Sequence, residues 1–185
     1  VYRVLAGFEE AGHCRRGYVI ETLGAAQFAA SVTVDRLREF AALPAPPPRR
    51  AVTLAATDPA NPYGAALGWP ALEGVSHRPG RKAGGVVVLV DGALVLYLER
   101  GGRSALAFTD DEEVLTAAAA DLVRTAQARR LDTLTVEQVN GEFVYNTPTG
   151  RALRAGGFVE SSRGLTLRRL TAGSRTAMSG STERA

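Results

Sequence analysis

The chain has 185 residues, 45% of them hydrophobic, and carries a formal charge of +3 with a pI near 9.4. That length holds one domain of ordinary size plus a smaller appendage, and that hydrophobic content excludes a largely disordered chain. A single cysteine, Cys14, excludes an intramolecular disulfide and a multi-cysteine metal site and fits a reducing cytoplasm; no apolar run is long enough to span a membrane.

The basic excess is unevenly spread. Residues 110–150 hold eight acids and three arginines, whereas residues 151–185 hold seven arginines and two acids. Such asymmetry fits an anionic partner. An arginine-rich composition accounts for it equally well, because Lys82 is the only lysine. No secretory leader opens the chain. It does not begin with Met, and Val1 falls inside a helical pattern, so the chain is read as a piece of a longer protein.

At the start, Val1, Val4, Leu5 and Phe8 share one face at helical spacing, and Gly12 is a stop. CRRGYVIETLGAAQFA follows as a short two-stranded ribbon, with Arg15 and Arg16 at its base and apolar positions at Tyr18, Ile20 and Leu23. Helix then ribbon is the end of a winged helix, recognition helix followed by wing, or else a helix–hairpin junction of any α+β domain. Val32–Leu43 is amphipathic, with Val34, Leu37, Phe40 and Ala41 expected inward. Pro44, Pro46, Pro47 and Pro48 end that helix and favour polyproline II. Residues 1–43 therefore form one unit and residues 44–50 a linker, whose Arg49 and Arg50 are solvated or touch phosphate.

Residues 51–170 form the second unit, and 171–185 read as a small, polar, mobile tail. Ala51–Ala56 is a short buried strand. In TDPANPYGAALGWP, prolines and glycines fix an irregular loop carrying Asp58, Asn61, Tyr63 and Trp69. One reading makes this loop a site: Asp58 orients water, Asn61 reads a base edge, and Tyr63 or Trp69 stacks on a base. The other has Asp58 and Asn61 bonding their own backbone while Trp69 is buried.

Gly85–Val90 and Ala93–Arg100 form a hairpin across Asp91-Gly92, where both turn residues need positive φ. Ser104–Phe108 follows the Gly101-Gly102 turn. Arg78, Arg81 and Lys82 lead into the hairpin, and Arg100 and Arg103 flank its second turn. The start of the first strand neighbours the end of the second. These cations are therefore expected on one rim, as the nucleic-acid contact.

Thr109 is expected to cap a helix running from Asp110 to Arg130, with acids in its first turn and Arg124, Arg129 and Arg130 near its end. Leu131–Val139 alternates as a strand closed at Asn140-Gly141, and Phe143–Tyr145 pairs back. Thr147-Pro148 caps a short helix through Ala155, and FVESSRGLTLRR is a strand pair or one bent strand, with Arg163-Gly164 near the bend. The fold is read as α+β: a partial winged helix followed by a barrel-like mixed β-sheet module with two helices. No GxxxxGK[ST] loop occurs, Gly84-Gly85 precede a strand where a dinucleotide loop would follow one, and no GxSxG elbow is present. His13 and His77 are isolated, so no metal is expected.

GHCRRGYVIETLGAAQFA, VDRLR, LAATDPANPYGAALGWP, HRPGRKAGGVVVLVDGALVLYLERGG and GFVESSRGLTLRR together resemble the C-terminal region of the large helicase-related (Lhr) family, over residues 1–170. The resemblance implies tandem winged helices and a β-barrel-like module similar to bacterial glycosylases that excise alkylated bases. It further implies an ATP- and Mg-dependent core elsewhere in a longer chain, moving 3′-to-5′ on single-stranded DNA, unwinding RNA–DNA hybrids and serving DNA repair. Some relatives are linked to uracil removal. The glutamines that carry excision in the alkyl-glycosylases have no match, since Gln27 and Gln138 stand in other contexts. Three functions stay open: a nucleic-acid-binding module, a glycosylase-like enzyme using Asp58, and a module for self-association or docking on the helicase core.

Overall fold

A computed structural model of the chain describes residues 1–20, 23–24, 26–42, 49–129 and 133–168. The proline run and the expected tail lie outside the described residues.

In the first piece, α1 (Tyr2–Glu10) ends where Gly12 takes φ +78, and strand β1 (Cys14–Gly17) pairs antiparallel with β2 (Gln27–Ala30). The Gln27 side chain organises the ribbon's tip. Its Oε1 accepts from the backbone N–H groups of Val19 (2.9 Å) and Ile20 (2.7 Å), and its Nε2 donates to the carbonyls of Ile20 (2.9 Å) and Gly24 (2.7 Å). Helix α2 (Ser31–Ala41) follows directly, and the Ser31 hydroxyl ties its start to Gly12 O at 2.7 Å. The expected inward packing of Val34, Leu37, Phe40 and Ala41 is corrected here. Neither helix has a buried residue, and Val4, Phe8, Leu37 and Phe40 are all exposed. The reason is size: a ribbon with strands of four residues cannot cover two helix faces.

The second piece is built on a six-stranded sheet in the order β3 (Ala51–Ala55), β4 (Val86–Val90), β5 (Ala93–Leu98), β6 (Ser104–Ala107), β8 (Gln138–Val139), β9 (Glu142–Phe143). The β4–β5 hairpin forms as expected, with Asp91 at φ 50 and Gly92 at φ 85. Its register shifts between Val88 and Leu89, which leaves Val95 as an extra residue. Val95 and Leu96 consequently both join the helix-side core, while Leu94 and Tyr97 join the core on the other face. Both faces are covered, which is why VVVLV and LVLYL are continuous apolar runs and do not alternate.

Helix α3 (Glu112–Ala128) lies against one face, inserting Leu115, Ala118, Ala119, Leu122 and Ala126. Its cap is Asp111, not Thr109. Asp111 Oδ1 accepts from Glu113 N at 2.9 Å and Val114 N at 3.1 Å, while the Thr109 hydroxyl only accepts from Asp111 N. The expected single strand over Leu131–Val139 is instead two: β7 (Leu134–Val136) and β8, in different sheets. The chain changes sheet at Glu137, where Arg103 O accepts from both Glu137 N and Gln138 N. Strand β8 then runs parallel to β6, with α3 in the crossover. Asn140 closes the β8–β9 turn at φ 53 and pairs its side-chain amide with both Ala107 N and Ala107 O at 2.9 Å.

Helix α4 (Pro148–Ala155), capped by Thr147 as expected, packs on α3. Strands β10 (Val159–Ser161) and β11 (Gly164–Leu167) join β7 in a three-stranded sheet. Among the described residues no barrel closes: the larger sheet is open, with edges at β3 and β9. The observed α+β architecture with two helices in this piece otherwise matches the expectation.

One polar contact bridges helix and sheet inside this core. The Asp121 carboxylate, 5% exposed, accepts from the Thr53 hydroxyl at 2.7 Å and pairs with Arg124. Replacing Asp121 by Ala strands a buried hydroxyl. We expect a loss of roughly 1–3 kcal/mol in denaturant unfolding, with the double variant Thr53→Val/Asp121→Ala recovering part of it.

Candidate nucleic-acid interface

Between β3 and β4 the chain crosses the second face of the large sheet without regular structure. Trp69, Leu72 and Val75 pack there against Val87, Leu94, Tyr97 and Leu106. A coil laid over a sheet leaves its carbonyls without ladder partners, and each needs a donor. Arg81 supplies several: one guanidinium nitrogen donates to Asn61 O (2.7 Å) and Tyr63 O (3.3 Å), the other to Asp58 O (3.0 Å) and Thr57 O (3.3 Å). Arg81 therefore points into the loop and away from the rim.

The polar residues of TDPANPYG are engaged in the same structure. Asp58 Oδ1 accepts from Ala60 N at 2.9 Å, an Asx turn. Asn61 is 1% exposed, and its amide bonds Ala56 O and both backbone groups of Tyr63. The Tyr63 hydroxyl donates to Gly92 O (3.2 Å) and accepts from Leu94 N (3.1 Å), tying the loop to the hairpin turn. Trp69 stacks on Tyr63, meets Tyr97 edge-on, and lies over Gly64, where a Cβ would fall 2.5 Å from Trp69 Nε1.

At the opposite end of the hairpin the expected convergence is present in part. The register pairs Val86 with Leu98, which sets residue 84 beside residue 100. The Arg100 side chain crosses Gly84, so close that a Cβ there would lie 2.8 Å from Arg100 Cγ. Among the described residues Arg78, Lys82 and Arg100 enter no ion pair, and all are exposed. Arg103 is exposed and held loosely, 3.5 Å from Glu137. His77, next to Arg78, brings Nε2 to 3.1 Å from Glu99 Oε1, but off-axis, so this buried nitrogen makes no well-formed hydrogen bond. Burial pushes the Tyr97 phenol up; a hydrogen bond from the Gly80 backbone opposes this, and the Glu99 charge adds to it.

Arg129 joins this group, although the sequence pattern marked it only as a helix-end charge. It is exposed at the end of α3 and lines a cavity of about 370 Å³ together with Gly84, Glu99, Gly101 and Leu134. The signal missed was tertiary: nothing in the sequence brings the end of α3 to the hairpin. On the first piece, Arg15 and Arg16 flank the ribbon in exposed pairs with Asp35 (3.5 Å) and Glu9 (3.8 Å), and Tyr18 is 82% exposed. The described residues contain no cluster of His, Cys, Asp and Glu able to hold a metal, and no helix long and apolar enough to cross a membrane.

A charge-conserving change separates the loop role of Arg81 from a phosphate role. Arg81→Lys cannot satisfy the same carbonyls, so thermal melting should show it destabilised by about 1.5–3 kcal/mol, close to Arg81→Ala. Lys82→Ala should melt like the parent chain.

Residues 1–49 match a family described as large helicase-related protein, winged-helix domain. A protein of Mycolicibacterium smegmatis named "Lhr helicase/ probable uracil glycosylase" is 51% identical over 177 residues, covering 91% of this chain and 12% of that protein. The Escherichia coli "Lhr helicase/uracil glycosylase" is 40% identical over 160 residues, covering 85% of this chain and 10% of that protein. The chain thus spans about a tenth of the length of these relatives. It belongs to the large helicase-related (Lhr) family, as a piece of its C-terminal region.

Proposed function

We propose that this chain is a nucleic-acid-binding module of an ATP-dependent repair helicase. Its working surface is the rim formed by Arg78, Lys82, Arg100, Arg103 and Arg129, and its partner is single-stranded DNA or an RNA–DNA hybrid. The observation that carries the reading is that Arg78, Lys82 and Arg100 stand exposed toward one end of the hairpin with no ion pair among the described residues. Unpaired cations are available to displace counterions from phosphates. The ribbon adds Arg15, Arg16 and exposed Tyr18 as a second contact, in the manner of a wing. On this reading, ATP hydrolysis with Mg and 3′-to-5′ movement belong to the rest of the longer protein, because no phosphate-binding GxxxxGK[ST] loop occurs here. The helicase core of the same chain is then the module's first protein partner.

Binding to single-stranded DNA should weaken steeply with salt. Each of Arg78→Ala, Lys82→Ala and Arg100→Ala should lower the slope of log K against log salt by about 0.7. An unchanged slope in the triple variant would sink the proposal.

A second reading, base excision, is favoured by the names of both relatives, which include uracil glycosylase. Asp58 is its candidate acid, with one carboxylate oxygen bound in the turn to Ala60 N. If it holds, Asp58→Asn abolishes release of uracil from DNA while leaving binding intact; full release by that variant removes Asp58 from the reaction.

A further inference from the structure

The cavity beside Arg129 has walls that phosphate binding does not use. Resting on the rim reading above, we propose that it receives one unstacked nucleobase of the bound strand, while Arg100 and Arg129 hold the flanking phosphates.

The first argument is chemical. At about 370 Å³ the cavity falls in the size range of small-molecule sites. Ala55, Val86, Leu98, Leu122, Ala126 and Leu134 supply apolar walls, which suit the faces of a heterocycle and repel a bare anion. The polar groups inside are few and of both kinds: the Glu99 carboxylate accepts, and the hydroxyls of Thr125 and Thr133 donate or accept. A base edge carries donors and acceptors side by side and needs that mixture. A phosphate inside would face the Glu99 carboxylate, and an apolar chain would leave that carboxylate unanswered.

The second argument is position. Gly84, Gly85, Gly101 and Gly102 line the cavity. At Gly101 a Cβ would meet nothing within 4 Å, so a sugar–phosphate backbone can approach closely there. Arg100 crosses Gly84 and Arg129 lines the same cavity, so a strand bound through both would carry a base past this opening.

The test compares a short single-stranded DNA with the same strand made abasic, by fluorescence anisotropy on the intact chain. The base-bearing strand should bind about tenfold tighter, as expected for one engaged base, with an equal salt slope. Thr125→Trp, which fills the cavity, should bring the intact strand down to the abasic level. Should that variant fold poorly, Glu99→Gln serves in its place: it keeps the shape and should change the ranking of the four homopolymers. Equal binding of both strands by the parent chain, with Lys82→Ala and Arg100→Ala still lowering the slope, overturns the pocket and leaves the rim standing. Base preference that survives both Thr125→Trp and Glu99→Gln also overturns it. Absence of salt-dependent binding removes both.

Discussion

A sheet buried on both faces must be covered on both, and here one cover is irregular chain. That constraint organises the second piece. Helix α3 covers one face with its own hydrogen bonds internally complete. The coil on the other face brings carbonyls that no ladder satisfies, and Arg81 answers them from a single guanidinium with its fixed fork of donors. Tyr63 and Asn61 close the remaining gaps. Loop, Trp69 and sheet then pack as one body, which holds the hairpin's ends in place.

This division sorts cations that look alike in sequence. Within RPGRK, Arg81 turns inward, whereas Arg78 and Lys82 remain exposed beside Arg100. An inward guanidinium fixes the path of the backbone, and its neighbours in sequence are thereby held at the strand ends. Positional order at the rim is thus a consequence of satisfying loop carbonyls. Arg78, Lys82 and Arg100 are left without an ion pair among the described residues, and the first-turn acids of α3, Glu112 and Glu113, lie at the end of that helix away from Arg129.

Much of this was legible from local chemistry. Asp91-Gly92 demanded a tight hairpin, Thr147-Pro148 a capped helix, and Arg163-Gly164 a bend between paired strands, and each is local enough for a few residues to decide. The two readings of the TDPANPYG loop could be written from sequence, but the bonds of Asn61 and Tyr63 to partners as distant as Gly92 could not. What stayed illegible was long-range. Alternation over Leu134–Val139 cannot show that the chain changes sheets at Glu137. A run such as LVLYL hides the bulge that turns Val95 and Leu96 to one face. Arg129 reaches the cavity only because α3 crosses the sheet. The apolar stripes of α1 and α2 are plain in the sequence, yet amphipathicity does not say what covers them.

The central claim is that the strand ends bind nucleic acid while the loop over the second face only supports them. Amide hydrogen exchange, measured with and without saturating single-stranded DNA, tests it most directly. The account predicts added protection at residues 82–86 and 99–103, with residues 57–70 unchanged. Protection concentrated at 57–70, with the strand ends unaffected, would contradict it.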